Sequence, residues 1–210
     1  MNKKKTGGRK EQAIETKKKI YETAGRLFKK NGFDNVSVDS IVEAAGVSKG
    51  SFYVHFHSKG SLITALGADL VAKVDSEYKS YFESSLSEKK ATDLLILFAE
   101  KIAEVIAHTL GYDLIKCTYQ AQLTRTINLE STLSYNRDVY QIFEKIISRG
   151  IQQGEFRHDL DIGTVANHCV MSIRGLTFEW CIRYPDFNLT DQVVKHFEIL
   201  LSGLRKQQPV

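Results

Sequence analysis

VSVDSIVEAAGVSKGSFYVHFHSKGSL, residues 36–62, reads as two short helices joined by a tight glycine turn. Ser37 is a natural N-cap for a helix over Val38–Ala45. Val38, Ile41, Val42 and Ala45 form one apolar stripe, and Asp39 puts a carboxylate in the first turn, where the helix dipole favours it. Gly46 stops that helix. Ser48 caps a second one, running to about Phe56, with Phe52 and Phe56 at i and i+4 on its inner face and Val47 placed as a hydrophobic staple. Two helices at this spacing predict a helix-turn-helix, whose second helix enters the major groove of DNA.

The chemistry of the second helix suits that use. Ser48 can offer a hydroxyl to a phosphate while capping, and Lys49 reaches either guanine or a phosphate. Gly50 costs about 1 kcal/mol against alanine in a helix, so a close backbone approach is the reason to keep it. Ser51 is short enough for a base edge. Tyr53 and His55 lie on the flanks, suited to phosphate oxygens. Lys59 opens the following helix, where its ammonium can hold a further phosphate, and Ser37 is another phosphate candidate.

Outward from this stretch the pattern stays helical. Upstream, Ile20, Ala24, Leu27 and Phe28 mark a helix over about Gln12–Asn31, ended by Gly32. Downstream, Leu62, Ile63, Leu66, Leu70 and Val74 mark a long helix from Lys59 to about Tyr81, followed by a polar linker, SSLSEKK, at residues 84–90. Further helices are expected around Leu94–Ile106, Leu114–Leu123, Leu133–Gln153, Ile162–Tyr184 and from Asn188 or Thr190 to Leu204. The 210 residues contain only two prolines, Pro185 and Pro209, which disfavours sandwiches and barrels with their frequent turns. A hydrophobic content of 42% is enough for a packed core.

Charge is unevenly spread. Residues 1–30 hold eleven Lys/Arg against three acids, and the rest of the chain is slightly acidic although the total is +4. A basic front end on an acidic body points to a polyanion at one end. No apolar run approaches the roughly 20 residues that span a bilayer, and the basic N-terminus lacks the apolar stretch of a signal peptide. The expectation is a cytoplasmic protein with no membrane partner. Cys117, Cys169 and Cys181 are far apart and odd in number, so buried thiols are expected rather than disulfides or a metal site. His108, Cys117, His168 and Cys181 have no spacing or motif that makes a nucleophile–base set, and no catalytic residue or cofactor is expected. A helical enzyme and a protein-binding adapter with a silent helix-turn-helix are the readings from other classes.

The segment resembles the DNA-binding domain of the tetracycline-repressor (TetR) family of bacterial regulators. The matching pieces are Ala24-Gly25-Arg26-Leu27-Phe28, Asn31-Gly32-Phe33, Val36-Ser37-Val38, the run from Ile41 to Gly50, Phe52-Tyr53-Val54-His55-Phe56, Ser58-Lys59 and Leu62. The resemblance implies an all-α chain of about nine helices: an N-terminal three-helix helix-turn-helix domain and a helical C-terminal ligand-binding and dimerisation domain. It implies a homodimer on double-stranded operator DNA, a repressor in most members and an activator in some, that answers a small-molecule effector; a ligand-independent regulator is the alternative of the same fold. Carried over by position, Ser37, Ser48, Lys49, Gly50, Ser51, Tyr53, His55 and Lys59 are DNA contacts. Gly60 stands where Glu is common. Val54 cannot hydrogen-bond to DNA, which removes any base contact from that position.

The corresponding division is a flexible basic arm at 1–11, the helix-turn-helix domain at 12–58, a connecting helix at 59–82 and the ligand and dimer region at 83–210. The last two long helices would pair with their copies in a dimer bundle. For an effector pocket the polar handles on apolar stretches are Tyr112, Cys117, Tyr119, Gln120, His168, Met171, Phe178 and Trp180, a mix suited to a largely apolar ligand.

Overall fold

The computed structural model describes residues 4–85, 89–125 and 134–205. Among these it has nine α-helices and no strand: α1 Lys4–Asn31, α2 Val38–Ala45, α3 Lys49–His55, α4 Lys59–Ser85, α5 Ala91–Glu104, α6 Tyr112–Thr124, α7 Asp138–Gln152, α8 Ile162–Arg183 and α9 Leu189–Leu204. None of the described helices is long and apolar enough to cross a membrane. The chain divides into two compact units, residues 1–69 with 116–129, and residues 70–115 with 130–210. The division falls inside α4 and inside α6.

The first unit is built on the expected apolar stripes. Ile20 and Ala24 of α1, Val36, Ile41 and Val42 at α2, Phe52 and Phe56 at α3 and Leu62 of α4 make one buried cluster. Burying a phenylalanine such as Phe52 contributes on the order of 1.5–3 kcal/mol, so the two rings hold α3 by its inner face. Gly32 and Gly46 both take left-handed φ values, +75° and +66°, where a side chain would be strained, and there they end α1 and α2. The hydroxyl of Tyr21 donates to the Ala65 carbonyl at 3.3 Å and to the Asp69 carboxylate, which ties α1 to the start of α4. Helix α1 begins at Lys4 rather than near Gln12, running through Gly7 and Gly8. Glycine lowers helix propensity without forbidding the helix, and no proline intervenes. Lys3 and the side chains of Lys4, Lys5 and Arg9, all part of the expected arm, lie outside the described residues.

The second unit packs α5 and α7–α9, with the later turns of α4, around an aromatic centre. Phe98 meets Phe143 edge-on at 5.0 Å, Phe143 stacks on Phe197 at 5.9 Å, and Tyr78 meets Phe98 at 5.8 Å. Two polar ties close this unit. Arg137 grips the Asp75 carboxylate with two nitrogens, at 3.1 and 2.7 Å. Glu155 accepts the amide N–H groups of Ala91 and Thr92 and the Thr92 hydroxyl, capping α5 from 64 residues away. Helix α7 starts at Asp138, not at 133: residues 134–137 form a turn in which Ser134 accepts the Asn136 N–H, and Arg137 is extended. Residue 133 itself lies outside the described residues. The last turns of α5 widen into a π-helical turn, Val105–Leu110, that Gly111 ends. Cys169 is buried, and burial pushes its thiol up to about 12, so it serves as an apolar filler.

Candidate nucleic-acid interface

Three serines start three successive helices, and each is answered by a serine three residues on. Ser37 Oγ accepts the Ser40 N–H and Ser40 Oγ accepts the Ser37 N–H, both at 3.0 Å. Ser48 Oγ accepts the Ser51 N–H at 3.1 Å. Ser58 and Ser61 repeat the reciprocal box of α2, at 3.0 and 3.1 Å. Ser61 therefore does at α4 what a glutamate does in the usual capping box, although Gly60 carries no carboxylate. The S-x-x-S spacing at 37, 48 and 58 is a sequence signal for this, and neither Ser40 nor Ser61 was expected to contribute.

These caps set α3 at a defined angle on its phenylalanine anchors. With about 3.6 residues per turn, Val54 falls opposite the midpoint of Phe52 and Phe56, and Gly50 lies one turn before it on the same outward side. Val54 is 79% exposed and Tyr53 47% exposed. The Tyr53 ring leans edge-on against Phe52 at 5.3 Å, which braces it while about half of its surface stays in solvent. His55 is half-buried on the other flank. The hydroxyls of Ser48 and Ser51 lie 2.9 Å apart. One must donate to the other, which leaves one O–H of the pair for an outside acceptor.

The cations are less free than their exposure suggests. Lys49 Nζ lies 2.7 Å from Asp39 Oδ1, an ion pair between exposed residues of α3 and α2. The hydrogen bond and the charge of Asp39 hold the Lys49 ammonium above its usual lysine value, so it is charged at any working pH. Lys59 donates to the Phe33 carbonyl at 3.0 Å and the Val36 carbonyl at 2.9 Å, and sits 3.9 Å above the Phe33 ring. Two of its three N–H donors are thus committed to the loop before α2, and its first task is to staple that loop to α4. Ser37, Ser48, Lys49, Gly50, Ser51, Tyr53, His55 and Lys59 all lie in the first unit, within one stretch of caps and helix. Besides Ser40 and Ser61, sequence alone did not include Asp39, because its partner on α3 is ten residues away and no periodicity links them.

Tyr112 and Trp180 come together edge-on at 5.8 Å, joined by Tyr184, which stacks on Tyr112 at 4.0 Å. Cys117, Tyr119 and Gln120, by contrast, belong to the part of α6 grouped with the first unit. On α8 the buried stripe is Ala166, Cys169, Val170, Ile173, Thr177 and Trp180. His168, Met171 and Phe178 fall off that stripe and are exposed. Helix α8 is apolar nearly all round, so residue type could not tell its inner from its outer face.

A family model described as bacterial regulatory proteins, tetR family, matches residues 20–66, the stretch from α1 into α4 that carries every cap above. The KstR2 transcriptional repressor of Mycobacterium tuberculosis is 26% identical, over 90% of this chain and 92% of its own. The fatty acid metabolism regulator protein of Bacillus subtilis is 24% identical, over 90% and 95%. Among solved structures, FadR of Bacillus subtilis in complex with stearoyl-CoA superposes with a TM-score of 0.68 at 23% identity, covering 89% of this chain and 98% of that one. The fold match covers 89% of the chain, and the domain match spans the helix-turn-helix. The chain is a DNA-binding transcriptional regulator whose residues 20–66 match the tetR family and whose remaining length is similar to regulators carrying that domain.

Proposed function

We propose that this chain acts in the cytoplasm as a homodimeric repressor, holding double-stranded operator DNA until a small, largely apolar effector releases it. The observation that carries the reading is α3: its inner face is locked by Phe52 and Phe56, and its outer side offers Lys49, Tyr53 and the Ser48–Ser51 hydroxyl pair. Ser37, Ser48, Lys49, Tyr53 and His55 serve the phosphates and fix register, Lys59 holds the loop before α2 in place for them, and Gly50 and Ser51 face the bases. Lys3, Lys4, Lys5, Arg9 and Lys10 add sequence-independent affinity.

Dimerisation is supported by the outer faces of the last two helices. Met171 and Ile182 on α8 and Ile199 on α9 are 54%, 63% and 71% exposed. A Cβ added at Gly175, between the first two, would meet nothing within 4 Å beyond its chain neighbours and its own helix backbone. An apolar effector is supported by the fatty-acid and ketosteroid regulators among the similar proteins. Release follows from geometry: two reading heads must sit about 34–36 Å apart to enter successive major grooves. A ligand that binds better to a dimer with another separation lowers operator affinity by that difference. Helix α4, continuous from Lys59 to Ser85, is the element to move, since it contributes Leu62 to one core and Val74, Tyr78 and Phe82 to the other.

Selection of bound sequences from random duplex DNA with the full-length chain tests the reading. The expected product is a palindrome with half-sites about one turn apart, silencing a reporter placed behind it. Recovery of no sequence above background would overturn it.

A further inference from the structure

Gly50 and Val54 are poor choices for a seven-residue helix unless something outside the chain wants them. Glycine costs about 1 kcal/mol against alanine in a helix, and a β-branched residue loses side-chain freedom there. Neither is needed inside the molecule. A Cβ added at Gly50 would meet only Ser48 Oγ, at 3.8 Å, an ordinary contact. Val54 has most of its surface in solvent, diametrically away from the anchoring phenylalanines. Together they make a narrow apolar ridge, low at Gly50 and raised at Val54, between the hydroxyls of Ser48 and Ser51, the Lys49 ammonium and the Tyr53 ring.

A valine offers no hydrogen bond, and on that ground alone it is discounted as a base contact; its placement reverses this. Of the groups that line the major groove, the 5-methyl of thymine is the apolar one, and every other base presents a donor or acceptor there. An isopropyl group pressed on such a polar edge would strip its water and leave it unpaired, at a cost. On a thymine methyl it gains apolar burial instead. Resting on the DNA-binding reading above, we infer that Val54 selects a thymine in each operator half-site by packing on its 5-methyl group, with Gly50 leaving the room that lets the ridge reach it.

The test uses the full-length protein and the sequence it selects from random DNA. Each thymine of one half-site is replaced in turn by deoxyuridine, which removes only the methyl group, and affinity is read by fluorescence anisotropy. One replacement is expected to weaken binding about fourfold, the loss that corresponds to one buried methyl group. Val54→Ala is expected to weaken binding to the unmodified site by a similar factor and to be indifferent to deoxyuridine at that position, the signature of a coupled pair. Because Val54 is outside the core, circular dichroism of the variant should match the wild type. Wild-type affinity that ignores deoxyuridine everywhere, or a Val54→Ala protein that keeps the full deoxyuridine penalty, would overturn the assignment while leaving the regulator reading intact. Failure to select any DNA would overturn both.

Discussion

Asp39 Oδ1 and Lys49 Nζ lie 2.7 Å apart, so the reading helix carries its own counter-charge. A phosphate that takes Lys49 must share the ammonium with Asp39 or displace it, and either way the carboxylate stands beside the DNA as a repelling anion. Asp39→Asn should therefore tighten binding to arbitrary duplex DNA about two- to fivefold at low salt, the size expected of one exposed charge, and narrow the gap between operator and non-operator. Lys49→Ala should do the opposite and flatten the log–log salt dependence by about one unit. Equal salt slopes for Lys49→Ala and wild type would remove Lys49 from the phosphate contacts.

Lys59 makes a different prediction. With its ammonium donating to the Phe33 and Val36 carbonyls, it positions α2 from α4. Lys59→Met should cost roughly 1.5–3 kcal/mol in urea unfolding, the range for hydrogen bonds to a charged group. Operator affinity should fall with the salt slope unchanged. A slope reduced by about one, with stability intact, would instead make Lys59 a phosphate contact first.

Glu155 ties acid stability to the start of α5. Its partial burial by itself would raise the carboxyl value, but the amide N–H groups of Ala91 and Thr92, the Thr92 hydroxyl and the Lys90 charge outweigh that and hold it below its ordinary 4.5. A group lowered on folding contributes stability above its unfolded value and loses it as pH falls through the folded one. Glu155→Gln should thus be less stable than wild type by about 1–2 kcal/mol at pH 7, with the gap closing below about pH 4. Urea midpoints at matched protein concentration measure both, and a gap that does not shrink as the solution is acidified would show that the carboxylate charge is not the cause.

Gly150 and Phe156 reverse the usual rule for helical glycines. A Cβ at Gly150 would lie 2.1 Å from Phe156 Cδ2 and 2.8 Å from Cγ, and the Phe156 ring is buried. Gly150→Ala should destabilise by roughly 1–3 kcal/mol through overpacking, where a free helical site would gain up to about 1 kcal/mol. An unchanged or raised melting temperature would mean the ring relocates.

What could be read from the sequence was local, and what could not was long-range. The limits of α2 and α3 follow from Ser37, Gly46 and Ser48, each acting within four residues of itself, and the inner face of α3 follows from the i, i+4 pair Phe52 and Phe56. The Glu155 cap on α5, the Arg137–Asp75 pair and the Lys59 staple join groups 23 to 64 residues apart, and no spacing rule reaches that far. The late start of α7 has the same origin, since Arg137 leaves the helical path while its side chain serves Asp75. The exposed side of α3 was legible as a list of residues, but the direction of Val54 mattered more than its type.

The last two helices carry the test of assembly. Met171, Ile182 and Ile199 leave three large apolar side chains in solvent on a single chain, and each would be buried by a second copy using the same two helices. Ile182→Glu places a charge in that face without touching the buried stripe of α8, which runs through Ile173, Thr177 and Trp180. Sedimentation velocity should show a dimer for wild type at micromolar concentration and a monomer for the variant, with an unchanged helical circular dichroism signal. Operator binding should weaken at least a hundredfold, and the salt slope should drop to about half, because one reading head keeps only its own phosphate contacts. A variant that still sediments as a dimer would place the interface on another surface. A monomeric variant with full affinity would show that a single head suffices, and the requirement for two heads one turn apart would fall with it.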